Sequence, residues 1–521
     1  MKKSAFKAIK VLLFTGLFAL MIIISLEKCN AQSNVIDQNV KSVDVQIDLN
    51  KVSHTMAGGI GASWHAMGAD VINYPDLIGR DNRTSKGSAY GGNPPVIPAY
   101  DKAWEDVLRH ARWLGLDFIR VEFAMDMYEP EREHFVWDND QMKTLYRILD
   151  HCQKNGVDVY MTMMWQGVQW NAHPGINRLQ SSPKSVDDYA KSYAELLDYL
   201  VKTKGFTCIH WITVNNEPGM PVGWWTGPNG KPDSIMPAIR ATRKELDKRG
   251  LNNIALCGSD GHGIYMGGFK PGDPSVGALS IHCYDGKPED KFKEGLKFAR
   301  ELKLPFFIAE MGTFFMGEFE GEQMAMGGPR SEAPKSYEHQ IINAEKILVG
   351  LNMGVDGFNR WSFVNRGDLD GQWQLIRTWN PNLWDFKKTV EPEPVPYYSF
   401  GIITRFTAKH SSVLESKSST RNLVATALHS PKGQVTIYLL NLSEKDTLVN
   451  VNFSTPAKPL EFKIYQITKE SVSKPGFDLP LMGTVSINKK NPSMQVLIPG
   501  KSITTYTTYD LAPNSDGVIS E

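Results

Sequence analysis

Between residues 57 and 361, eight short apolar or β-branched runs recur, and most are separated by longer stretches in which apolar residues return with helical period. The runs are Ala57 to Ser63, Asp117 to Phe123, Val157 to Met164, Ile209 to Val214, Asn253 to Cys257, Leu279 to Cys283, Pro305 to Ala309 and Val355 to Trp361. A strand apolar along its length needs cover on both faces, which a parallel sheet obtains from the helices that connect its strands. Amphipathic segments at Asp101 to Leu114, Asn139 to Asn155, Val186 to Thr203, Ser234 to Arg249, Glu289 to Leu302 and Ser336 to Leu351 supply that cover. Helices are not evident directly after the first and fifth strands, where a Gly/Pro/Asn-rich loop (Asn73 to Pro98) and a Gly-rich stretch follow. Eight such strands predict an α/β fold of the (β/α)8 TIM-barrel kind, with functional loops at the strands' C-terminal ends.

Past the eighth strand the pattern changes. Val390 to Pro396 holds three prolines and reads as a connector, and beyond it come helix-free runs at Leu423 to His429, Gln434 to Asn441, Thr447 to Phe453, Leu460 to Ile467 and Ser502 to Tyr509. These predict a β-sandwich. A strand at Ser42 to Leu49 precedes the barrel and could join it. The expected organisation is a strand segment at 32–56, a catalytic barrel at 57–389, a sandwich at 390–510 and a flexible tail at 511–521.

The first residues carry a different signal. Lys2, Lys3, Lys7 and Lys10 precede the apolar run Val11 to Ser25, which is followed by Cys29-Asn30-Ala31. That order is the pattern of a secretory signal peptide spanning 1–31, and the run is shorter than a membrane span requires. Export to the periplasm or the extracellular space is expected; a lipid on Cys29 is disfavoured because Lys28 stands where a small residue is wanted. Cys152, Cys208, Cys257 and Cys283 then remain, too sparse for a disulfide scaffold and best read as small buried side chains. The 57 Lys and Arg balance 57 Asp and Glu, so no basic excess favours a nucleic acid partner.

Two strands end in a carboxylate. The fourth runs through Trp211-Ile212-Thr213-Val214-Asn215-Asn216-Glu217-Pro218, and the seventh through Phe306-Phe307-Ile308-Ala309-Glu310-Met311-Gly312. In a barrel, Glu217 and Glu310 would face one another across the mouth. Two carboxyl groups about 5 Å apart permit retaining glycoside hydrolysis, whereas about 6.5–9.5 Å leaves room for an inverting water.

On these residues the sequence resembles the clan A glycoside hydrolases, marked by Asn-Glu-Pro after the fourth strand and a nucleophilic Glu after the seventh. The resemblance implies that Glu217 is the general acid/base and Glu310 the nucleophile, with no cofactor and no metal. It implies supporting roles for Arg120 in Phe118-Ile119-Arg120-Val121-Glu122, for Asn216 at the sugar 2-hydroxyl, and for His282 and Tyr284 in His282-Cys283-Tyr284. An ionised Glu310 and a protonated Glu217 are expected, the first through a lowered and the second through a raised pKa. The leading strand, Trp165 with Trp170, and the all-β tail ending Ile498-Pro499-Gly500-Lys501-Ser502 are most similar to glycoside hydrolase family 30. The His-x-Tyr and Ala-Glu-Met-Gly motifs are closer to family 5, yet Trp165-Gln166 stands where family 5 carries a histidine.

A carbohydrate substrate would be held from the loops. Candidates are Trp64 and His65, Trp165, Trp224 and Trp225, Trp361, Asn365, Arg366, Asp368, Asp370 and Trp373; indole faces suit a pyranose ring, and Asp or Arg its hydroxyls. Two further readings stand beside the glycosidase: a metal-dependent barrel hydrolase using His65, His282 and Asp260, and a glycan-binding barrel without catalysis.

Overall fold

The computed structural model describes residues 42–66, 92–219, 224–284, 288–313, 333–365, 373–380, 383 and 385–519. The expected leader with Cys29, and Arg366, Asp368 and Asp370, lie outside the described residues. After β1 (Val43–Thr55), eight parallel strands close a barrel in sequence order: β2 (Ile60–His65), β3 (Phe118–Ala124), β4 (Asp158–Trp165), β5 (Ile209–Thr213), β6 (Ala255–Ser259), β7 (Ala278–Cys283), β8 (Phe306–Met311) and β9 (Gly357–Arg360). The chain therefore has the (β/α)8 fold.

Helices at Asp101–Leu114, Asp140–Lys154, Val186–Asp198, Met236–Lys248, Glu289–Leu302 and Tyr337–Met353 pack outside. Several start where the sequence offers a cap. The side chains of Asn139, Ser185 and Ser336 accept from the backbone N–H groups of Met142, Asp188 and His339, satisfying amides that the first turn leaves without a partner. Between β6 and β7 there is no α-helix, only a single 3-10 turn at Met266–Gly268, as the glycines there suggest.

Strand alternation sorts the barrel side chains into layers. Phe118, Arg120 and Glu122 are alternate residues of β3 and share its inner face. Phe118 packs against Trp211 and Phe307, with ring centroids 5.5 and 5.1 Å away, in an apolar plug with Tyr160, Cys257, Ala278 and Ala309. Arg120 and Glu122 lie further toward the C-terminal end and make the charged upper layer. On β2, Ser63 and His65 pair with these two residues, so the intervening Trp64 faces outward.

Beyond the barrel, β10 (Ile376–Asn380) and β11 (Asp385–Pro392) form a hairpin. The stretch expected as a proline-rich connector instead ends this strand and opens a helix, Pro394–Thr404. Proline fits the first turn of a helix because its missing N–H would find no partner there, and Tyr397, Phe400, Ile402 and Ile403 bury the helix. The last domain is one nine-stranded sheet containing β1 and β12 to β19 (Ser412–Ser418, Leu423–His429, Val435–Asn441, Thr447–Phe453, Leu460–Ile467, Gly483–Ile487, Ser493–Ile498 and Ser502–Thr507). It curls over a core of its own, with Phe453 of β15 stacked on Phe462 of β16. The leading strand does join it, between β12 and β15. Tyr438 and Thr505 donate to the carbonyls of Ile403 and Ile402, fastening the sheet to the helix Pro394–Thr404.

Residues 511–519, expected as part of a loose tail, are docked. Buried Arg405 donates to the carbonyls of Ala512 and Ser515, each at 2.6 Å; Trp113 donates to the carbonyl of Pro513, and Val518 is buried. Few apolar residues marked this segment in the sequence, because what holds it is its own backbone carbonyls. Deleting residues 511–521 should therefore cost about 1–3 kcal/mol, the penalty for stripping partners from buried donors. Urea unfolding checks this: a lowered midpoint is expected, and an unmoved one would mean a loose tail.

Candidate active site

Arg120 is completely buried at the barrel's mouth and donates to four partners. Its Nη1 reaches Glu122 and, at 3.1 Å, Glu310; its Nη2 reaches Asn216 at 2.6 Å and Asp260 at 3.1 Å. Burial works against this charge, but Asp260, Glu122 and Glu310 outweigh it and raise the guanidinium's pKa above its ordinary value. Asn359 of β9 accepts the backbone N–H of Arg120 and fixes its height in the barrel.

Glu310 reaches this layer through an irregularity. On β8, Phe307 and Ala309 face the interior, so strict alternation would turn Glu310 outward. The β7–β8 register runs Ile281 opposite Ile308 and then His282 opposite Glu310, leaving Ala309 as the extra residue of a bulge. A bulge re-aims the side chains that follow it. Glu310 thus turns inward, where the Tyr284 hydroxyl donates to its Oε1 and Arg120 to its Oε2.

Glu217 sits on the loop after β5 in a left-handed backbone conformation, φ 42°, and its N–H donates to the carbonyl of Asp260, itself left-handed at φ 45°. Its Oε1 accepts from two imidazoles, His282 Nδ1 at 2.8 Å and His262 Nε2 at 3.0 Å. His282 also lies 3.5 Å from Asp260 and 3.7 Å from Glu310. Tyr160 donates to the other oxygen of Asp260 at 2.9 Å.

The two carboxyl pKa values are displaced in directions opposite to those expected. Burial would raise the Glu217 carboxyl, yet the His262 and His282 hydrogen bonds outweigh it and hold the group well below the usual range. Burial raises the Glu310 carboxyl, and the charges of Glu217 and Glu122 add to that against the pull of His282 and Arg120. Burial opposes a charge on His282, but Glu310, Asp260 and Glu217 together push it up to about 10, so it is an imidazolium at neutral pH. Asp260 is lowered: burial is overcome by Arg120 and His282.

The structure gathers Glu217, Glu310, Arg120, Asn216, His282 and Tyr284 into one cluster. Trp373 stands edge-on to Tyr284 at 5.9 Å. His65 is buried against Glu122, with Trp361 4.8 Å away edge-on. Other indoles expected to meet sugar serve packing. Trp64 donates to Asn93 and packs on Phe363 in the helix layer; Trp225 packs on Tyr189; Trp165 is buried in a stack with Trp224. Strand alternation is the reason for Trp64, and helix Val186–Asp198, which carries Tyr189, covers Trp225.

The trio His65, His282 and Asp260 does not converge. Among the described residues the one group with metal-ligand spacing is Glu217, His282 and Glu310, one atom of each lying within 4.8 Å of the others. An ion there would have to displace the His282–Glu217 bond and sit beside the Arg120 cation. Sequence reasoning missed Glu122 and His262. Glu122 was legible, two residues after Arg120 on the same strand face; His262 lies on a loop, where no period marks a position.

Comparison with family models and with curated proteins finds no match for this sequence. Solved structures do match. A glycoside hydrolase family 30 subfamily 8 xylanase from Clostridium acetobutylicum is 15% identical with a TM-score of 0.57, over 89% of this chain and 99% of the other. An α-L-arabinofuranosidase from Thermotoga maritima is 12% identical with a TM-score of 0.58, over the same shares. An endo-β1,6-glucanase is 14% identical with a TM-score of 0.56, over 91% and 95%. The chain has the two-domain fold of these enzymes.

Replacing Arg120 by Leu should cost about 3–5 kcal/mol, because it leaves Glu122, Asp260 and Glu310 buried without their shared cation. Denaturant unfolding at neutral pH checks this. A loss below 1 kcal/mol would mean that the three carboxylates are neutral or solvated.

Proposed function

We propose that the chain is a retaining glycoside hydrolase that cleaves β-glycosidic bonds by double displacement, with Glu310 as nucleophile and Glu217 as general acid/base. The observation that carries this reading is the spacing of the two carboxylates, which bring an oxygen of each within 4.8 Å. That suits direct attack on the anomeric carbon and leaves too little room for an inverting water.

The roles follow from the partners. Tyr284 and Arg120 each hold one oxygen of Glu310, which aims the carboxylate and stabilises its ionised form. Glu217 shares a hydrogen bond with the His282 imidazolium, so the proton needed by the leaving oxygen is stored in that pair. The pair gives that proton up from Oε2 of Glu217, while His282 Nδ1 holds Oε1 at 2.8 Å. After the glycosyl-enzyme forms, the same pair takes the proton back from the attacking water. The fold is shared with a xylanase, a β1,6-glucanase and an arabinofuranosidase, so the sugar does not come with the barrel.

A panel of aryl β-glycosides and β-linked oligosaccharides tests the reading. Glu310→Ala should abolish turnover throughout. Glu217→Ala should lose about 10²–10⁴-fold on natural linkages while sparing activated aryl leaving groups, with azide restoring turnover as a β-azide product. Proton NMR should show the β-anomer first from a β-linked substrate; first appearance of the α-anomer would sink the proposal. Tyr284→Phe should lower kcat more than it changes KM. Because the ionised nucleophile loses a donor, the acidic limb of kcat/KM should move to higher pH.

We also propose export, supported by the basic and apolar start of the sequence. Among the described residues no helix is long and apolar enough to cross a membrane. Mass spectrometry of protein recovered outside the cytoplasm should find a chain beginning at Gln32; an intact N-terminus there would overturn this.

A further inference from the structure

Nothing in the acid/base assignment calls for a second imidazole on Glu217, yet His262 supplies one. It comes from the loop after β6, and that loop is interlocked with the one bearing Glu217. The Glu217 N–H donates to the carbonyl of Asp260 at 2.9 Å, and the His282 N–H donates to that of Gly261 at 2.7 Å. A Cβ on Gly219, which has φ 83°, would lie 3.0 Å from the backbone nitrogen of Gly267, so the two loops touch backbone to backbone. The His262 ring lies over Tyr284 at 5.9 Å and 27° between planes, and Tyr284 in turn holds Glu310. His262 is thus braced from below by the ring that serves the nucleophile, with Nε2 aimed at the acid.

Both imidazoles address the same oxygen. His262 Nε2 lies 3.0 Å and His282 Nδ1 2.8 Å from Oε1 of Glu217. An oxygen that accepts two N–H bonds is a poor place for a proton, so the acid proton belongs on Oε2. Two donors on one carboxyl also favour its charged form and make the acid stronger.

We propose that His262 is a positioning residue that keeps the proton off Oε1 of Glu217, orients Oε2 to deliver it to the leaving oxygen, and sets the pH at which Glu217 ionises. This rests on Glu217 being the acid/base, but its first test needs no substrate. The other titratable or charged groups facing this pair are His282 and Tyr284 from β7 and its end, Asp260 beside His262, Glu310 from β8, and Arg120 and Glu122 from β3. All of them stay in place when His262 alone is changed.

The test uses the full chain labelled with ¹³C at the glutamate carboxyl carbon, with the Glu217 signal identified by its loss in Glu217→Gln. In His262→Ala the Glu217 signal should titrate about one pH unit or more above its wild-type position, the size expected for one lost hydrogen bond to a carboxylate. His262→Gln, whose amide nitrogen reaches where Nε2 stands, should return it toward the wild-type value, and the shorter His262→Asn should not. A titration unchanged in His262→Ala, or one moved to lower pH, would overturn the proposal, as would equal behaviour of the Gln and Asn variants. Unchanged signals from the other glutamates show that the variant is folded. With an active aryl β-glycoside, the basic limb of kcat/KM, which reports loss of the proton shared by Glu217 and His282, should also move to higher pH in His262→Ala. If the carboxyl titration moves and no glycoside is cleaved, the acid/base reading fails and the placement of His262 stands.

Discussion

The barrel's upper interior is organised by one buried guanidinium. Arg120 is fully enclosed, so the cost of removing it from water has to be offset by partners in good geometry. Those partners come from four places in the chain: Glu122 on β3 itself, Asn216 after β5, Asp260 after β6 and Glu310 on β8. A barrel closed in a different register would leave at least one of these charges buried and unpaired. The arrangement that assembles the site is thus also one that penalises misassembly, and fold and function share a single constraint.

Most of the barrel was legible because its signal is periodic. Continuous apolar runs marked the eight strands, and the helices Asp101–Leu114 and Glu289–Leu302 stand at their expected bounds. The same period, applied further, would have separated the side chains. It places His65 with Glu122 inside and Trp64 outside, so Trp64 could have been assigned to packing from sequence. What the period does not foretell is where it breaks. Glu310 points inward because Ala309 is left over in the β7–β8 ladder, and nothing in Phe-Phe-Ile-Ala-Glu-Met announces that extra residue. The carboxylate was still found, because its position at a strand end is a chemical signal independent of which face the strand presents.

Outside the barrel, legibility followed how each segment is held. The sheet strands Leu423–His429, Thr447–Phe453 and Leu460–Ile467 bury most of their apolar side chains and were visible. Ser412–Ser418 and Gly483–Ile487 carry polar, partly exposed side chains and take their place through backbone pairing. The helix at Pro394 was hidden by its prolines, which stop a helix from the inside but start one at its first turn. His262 belongs to the same class: it owes its position to glycine-mediated contact between two loops, a tertiary fact with no local imprint.

The charges of the centre bear on the chemistry proposed for it. Glu122, Glu217, Asp260 and Glu310 face two cations, Arg120 and the His282 imidazolium. With all four acids ionised, the enclosed mouth carries excess negative charge; a proton passed from His282 to Glu217 does not change the sum. A glycosyl transition state gathers positive charge at the anomeric carbon, and fixed negative charge in a water-poor site stabilises it without reorganisation. Burial raises the carboxyl pKa of Glu310, and repulsion from Glu217 and Glu122 adds to it when no sugar is bound. The excess relaxes when the oxocarbenium-like carbon arrives, because that repulsion is then answered by an attraction. Ground-state crowding of carboxylates and transition-state stabilisation are in this view the same arrangement seen before and after positive charge develops between Glu217 and Glu310.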